Sequence, residues 1–78
     1  MLKTRILYVA IRDDGEHEWA DMETLSGTYG FCSDRVNWKD NDMRNRGTCC
    51  ANWVKANPVT RITRIQIEEI GPDDGTEI

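Results

Sequence analysis

Cysteine and histidine are scarce in this chain, at three and one among 78 residues, and each scarcity closes off a class of protein. Three cysteines are too few, and odd in number, for a disulfide-stapled scaffold, which points to a reducing setting. A single histidine, His17, cannot build a multi-histidine metal centre. No apolar run approaches the roughly 18–20 residues that a helical membrane span needs. The opening "MLKTRILYVAIRDDG" carries basic residues, but its apolar stretch is short and acids follow it, so it does not read as a secretory signal. A soluble, cytoplasmic chain without a membrane partner is the expectation. "GTYGF" lacks the third glycine of a dinucleotide loop and the Lys-Ser/Thr of a P-loop.

What is present is charge, and it is segregated. The net charge of −4 is a residue of −3 over positions 1–33, +4 over 34–64 and −5 over 65–78. Such polarity presents faces of opposite sign to partners. The length supplies one hydrophobic core, hence a single domain over 1–71, with the glycine-rich acidic stretch 72–78 read as a flexible tail.

Local patterns give an architecture. In "TRILYVAIRDDGEHEWADMET" apolar residues occupy both alternating faces, Leu7, Val9 and Ile11 on one and Ile6, Tyr8 and Ala10 on the other, as in a central strand. "DDG" supplies turn chemistry, and the return strand is expected near His17–Glu23, with Trp19 and Met22 reaching the core. "LSGTYGFCS" reads as a loop, with Ser33 and Asp34 starting a helix. There Phe31, Cys32, Val36, Trp38 and Met43 fall within a sector of roughly 160°, a candidate core stripe. After "RNRG", Thr48 is placed to cap a further short helix, on which Cys49, Cys50, Trp53, Val54 and Ala56 share a sector. Asn57-Pro58 ends it, because the residue before proline is pushed out of the α region. "VTRITRIQIEEI" is the last strand, its mixed pattern read either as one face buried over part of its length or as a bulge near Arg64. The fold expected is α+β: a small three-stranded antiparallel sheet in β-β-α-β order, with one helix, or one broken in two, packed on one face. The last strand pairs beside the first.

Few residues look chemical. Cys49 and Cys50 are adjacent and so lack the two-residue gap of a zinc knuckle or a redox C-x-x-C pair; both read as small apolar packing residues. Asp40, Asp42 and Arg44 fail as a calcium loop, because arginine stands where an oxygen ligand belongs. His17, between Glu16 and Glu18, has no neighbouring nucleophile. No metal, no cofactor and no catalytic residue is expected, and the pattern argues against an enzyme.

Binding remains. Asp13, Asp14, Glu16, Glu18, Asp21 and Glu23 concentrate acid on one hairpin, suited to a basic groove on a protein that handles nucleic acid. The alternative is a nucleic-acid regulator using Arg35, Lys39, Arg44 and Arg46 with Tyr29, Phe31 and Trp38 as stacking rings. A third reading is a structural subunit, monomeric or a homodimer completing its sheet through an edge strand.

"METL" (Met22–Leu25) after a first hairpin, a tryptophan-bearing helical middle, and "VTRI" (Val59–Ile62) opening the last strand resemble the small RNA-polymerase inhibitor of T7-like phages. Small size, acidity and the lack of catalytic motifs are similar to anti-CRISPR proteins. The resemblance implies a phage or mobile-element accessory protein that binds and inhibits a host protein or complex, such as RNA polymerase or a CRISPR complex, in the host cytoplasm. It assigns no residue a role.

Overall fold

The structure is a computed structural model and describes residues 4–71; the acidic tail expected at 72–78 lies outside them. Three strands and two helices follow in the order β1 (Thr4–Asp13), β2 (Glu18–Ser26), α1 (Tyr29–Arg46), α2 (Thr48–Ala56) and β3 (Val59–Glu68). The sheet is antiparallel throughout with order β2-β1-β3. β1 takes the centre because it is the strand with apolar residues on both faces, and Leu7, Val9, Ala10 and Ile11 are all buried.

The expectation of one helix is overturned: α1 and α2 are separate helices, and the order is β-β-α-α-β. Gly47 divides them at φ +148°, a backbone conformation that L side chains rarely adopt. It also serves as the N-cap of α2, whose start has no side-chain cap, so Thr48 does not play that part. α1 begins four residues before Ser33. Thr28 caps it, its Oγ1 accepting from the Phe31 N–H at 3.2 Å, so the helix starts at Tyr29 within "GTYGF" despite Gly30.

The hairpin turn is built by its aspartates. Asp13 Oδ1 accepts from Gly15 N, and Asp14 Oδ1 accepts from Glu16 N and His17 N. Farther along, β2 carries a bulge. Tyr8 pairs with Ser26 and Ala10 with Asp21, so Met22–Leu25 face the single residue Val9. The Thr24 hydroxyl replaces the missing ladder: its Oγ1 accepts from Ala10 N at 2.9 Å and donates to Asp21 O at 2.7 Å. Met22 rides outward on this bulge, exposed rather than in the core. On the other side the register slips between Ile11 and Arg12, skipping Thr60; no bulge forms at Arg64.

Both helices pack on the sheet face that carries Tyr8, Ala10 and Arg12. Tyr8 meets Tyr29 of α1 edge-on at 6.2 Å, and Trp19, the neighbour of Arg12 on β2, meets Trp53 of α2 at 6.0 Å. Strand alternation puts Leu7, Val9 and Ile11 on the opposite face, where no helix lies among the described residues.

Candidate protein-interaction face

What fixes α1 against the sheet is ionic. Arg12 is fully buried and spends its donors on three acceptors: Asp21 Oδ2 at 2.8 Å, Asp40 Oδ1 at 2.8 Å and the Asn57 carbonyl at 2.9 Å. Lys39 Nζ adds Asp21 Oδ2 and Glu23 Oε1, both at 2.8 Å. The Trp53 ring lies beside both cations, 5.0 Å from the Arg12 guanidinium and 5.1 Å from Lys39 Nζ. Desolvation pushes the Asp21 carboxyl up, but the bonds from Lys39 and Arg12 outweigh it and hold the group below its ordinary value. Lys39 is the mirror case: burial opposes its charge, and bonds to Asp21 and Glu23 leave its pKa raised. Buried charges persist when paired and hydrogen-bonded in this way. The network joins β1, β2, α1 and the end of α2, so it sets the rotation of α1 about its own axis.

That rotation decides which side chains face outward. Cys32, Val36, Lys39, Asp40 and Met43 turn toward the protein, with Cys32 and Asp40 buried. Phe31 and Trp38 belong to the edge of the apolar sector seen in the sequence, and they fall outside the contact. Trp38 is 81% exposed, Phe31 67% and Tyr29 58%. Phe31, Arg35 and Trp38 stand at i, i+4 and i+7, on one face of the helix. Two shallow, open depressions share Arg35 and Trp38: one of about 570 Å³ between Phe31, Asp34 and Asn37, the other of about 430 Å³ toward Glu23, Lys39 and Asp42. An arginine between two uncovered rings on a helix tied to the sheet by ion pairs offers apolar area with a directional cation, the composition of a protein-binding anchor.

The acidic hairpin residues divide among three places. Asp13, Asp14 and Glu16 stay at the turn, where the Glu16 and His17 backbone N–H groups hold the Asp14 carboxyl below its usual value. Glu18 lies across the helix-free face and pairs with Arg61 Nη1 at 2.8 Å, which lowers its pKa and raises that of Arg61. Asp21 is buried in the network, and Glu23 is bound to Lys39.

The four basic residues are likewise dispersed. Lys39 is committed to Asp21 and Glu23, Arg46 to Asp42 at 2.7 Å, and Arg44 donates to Asn41. Arg44 sits roughly 180° around α1 from Arg35. Arg35 has no side-chain hydrogen bond among the described residues.

Cys49 is exposed and Cys50 half-buried; the buried thiol is Cys32, which desolvation pushes to a raised pKa. Cys49 is therefore not a core residue, and Val54 is the buried anchor of α2. His17 is exposed at the turn. Sequence reasoning missed Arg12, Asp40 and Thr24. One signal was available: an arginine inside the apolar run "LYVAIRD" needs a buried partner, since an unpaired charge there is too costly. No family model, curated protein or solved structure matches the chain.

Proposed function

We propose that this chain is a non-enzymatic interaction protein that docks on a host protein through the outer face of α1 and inhibits it. The observation that carries the reading is the exposure of Trp38 and Phe31 around Arg35. Tryptophan and arginine dominate binding energy in interfaces when a partner covers them, and the ionic network holds this helix in place, so little ordering entropy is lost on docking. The acids of the hairpin tip, Asp13, Asp14 and Glu16, steer approach to a basic target and add to on-rate more than to affinity. The resemblance to phage-encoded inhibitors supplies the target class: a nucleic-acid-handling machine such as RNA polymerase, or a defence complex such as a CRISPR effector, in the host cytoplasm.

The test is inhibition of transcription by bacterial RNA polymerase and of DNA cleavage by a CRISPR effector, each titrated with the full chain, Trp38→Ala and Phe31→Ala. Loss of at least about tenfold in potency is expected for either variant, with melting curves unchanged because both side chains are solvent-facing. Reversal of Asp13, Asp14 and Glu16 to lysine lowers potency most at low salt. Equal potency of the alanine variants removes α1 as the contact. Salt-sensitive retention of labelled single-stranded DNA that disappears in Trp38→Ala reassigns the stripe to base stacking.

A further inference from the structure

The two edges of the sheet are unlike. The outer edge of β2 is broken by the Met22–Leu25 bulge, a device that prevents strand addition. β3 is regular against β1 from Arg61 to Glu68, with no proline or bulge in that stretch and no further strand beside it among the described residues. Its sequence is self-complementary. About Gln66 as centre, "RIQIE" reads Arg64, Ile65, Gln66, Ile67, Glu68: opposite charges at the ends, isoleucines inside them, an amide in the middle. We propose that β3 is a homodimer edge, pairing antiparallel with β3 of a second copy about a two-fold axis at Gln66.

In that register Arg64 faces Glu68 of the second copy, twice, and Ile65 faces Ile67, twice. Gln66 meets its own counterpart, whose amide both donates and accepts. Continuing by two residues sets Ile62 against Ile70 and Thr63 against Glu69. Two features of the single chain are thereby accounted for. Arg64 and Glu68 are both exposed and have no ion-pair partner among the described residues. Ile67 and Ile70 are exposed apolar residues just where the partner strand places an isoleucine, and Ile70 is 94% exposed. Arg61, by contrast, is already bound to Glu18, and no other residue in the proposed register calls on it. The competing register centred on Ile65 sets Arg61 against Glu69 and Ile62 against Glu68, so it takes an arginine from its partner and opposes an isoleucine to a carboxylate. The two-fold stands perpendicular to the sheet, so both copies carry their helices on one side of a six-stranded sheet.

Sedimentation equilibrium of the full chain tests this with two charge reversals. The wild type is a dimer at micromolar to about 100 µM concentration. Arg64→Glu faces Glu with Glu, and Glu68→Arg faces Arg with Arg, so each is expected to raise the dimer dissociation constant by about tenfold or more. Mixed in equal amounts, the two variants are complementary and form a heterodimer, and Arg64→Glu with Glu68→Arg on one chain restores the homodimer. Recovery in the mixture also shows that neither variant had misfolded. A monomeric wild type, single variants that dimerise as well as the wild type, or a mixture that stays monomeric overturns the proposal.

Discussion

Replacing Arg12 by methionine tests the reasoning about the ionic network most directly. The substitution keeps an unbranched apolar stem, two atoms shorter than arginine, and removes every donor. Asp21 retains Lys39, but Asp40 loses its only side-chain partner among the described residues while remaining about nine-tenths buried. The Asn57 carbonyl loses a charged donor and Trp53 one of its two cations. Breaking a buried pair by removing one partner costs about 3–5 kcal/mol. A domain of this length has about 4–12 kcal/mol in all, so the variant stands near the limit of folding. At about 4–8 °C per kcal/mol for small domains, that cost lowers the melting temperature by roughly 12–40 °C at pH 7. Circular dichroism and the fluorescence of Trp19 and Trp53 would follow it. The companion is Arg12→Met with Asp40→Leu, which removes the stranded carboxylate and regains at least about 2 kcal/mol, because apolar replacement of a buried pair is near neutral. A single variant melting within about 3 °C of the wild type, or a double variant no better than the single, refutes the network as the element that sets α1.

Three further outcomes follow from the same geometry. Thr24→Val leaves Ala10 N–H without its acceptor inside the β2 bulge and costs about 1–3 kcal/mol in urea unfolding, whereas Thr24→Ser is close to neutral; equal midpoints for both would remove the hydroxyl from the account. The folded-state pKa of Asp21 lies below its unfolded value, so its contribution is complete above the ordinary carboxylate range and is lost as pH falls through the folded value. Lys39, raised, contributes below the ordinary lysine range and loses that contribution as pH rises through its folded pKa. Urea midpoints therefore decline at both extremes, and Lys39→Met flattens the acid limb; a wild-type midpoint unchanged between pH 7 and pH 3 contradicts this. With a thiol reagent, exposed Cys49 reacts in the native protein, while Cys32, buried with its thiol pKa raised, reacts only as the chain opens; simultaneous labelling of both would contradict the burial pattern.

Local chemistry in the sequence determined a good deal of this protein. Alternation marked the strands, with β1 as the one fit for the centre. "DDG" placed the hairpin turn, and Asn57-Pro58 ended the last helix, each by a backbone preference that acts within a few residues. Gly47 marked the break between helices for the same reason, although the sequence did not show that two separate helices result. Thr28 as the start of α1 was hidden by the glycines of "SGTYGF", whose helix penalty is small beside the gain from packing the rest of an 18-residue helix.

Only the tertiary structure decided which side of α1 is buried. A sector of roughly 160° on a helix is wider than one contact face, so hydrophobicity alone left the rotation open. Arg12, arriving from β1, needed carboxylates, and Asp40 met that need from α1 while Asp21 met it from β2. Lys39 then turned inward to Asp21, and Phe31 and Trp38 turned out. A charge on one strand thus chose the surface that a helix presents to water, through contacts 28 residues apart in sequence. No local pattern encodes such a contact.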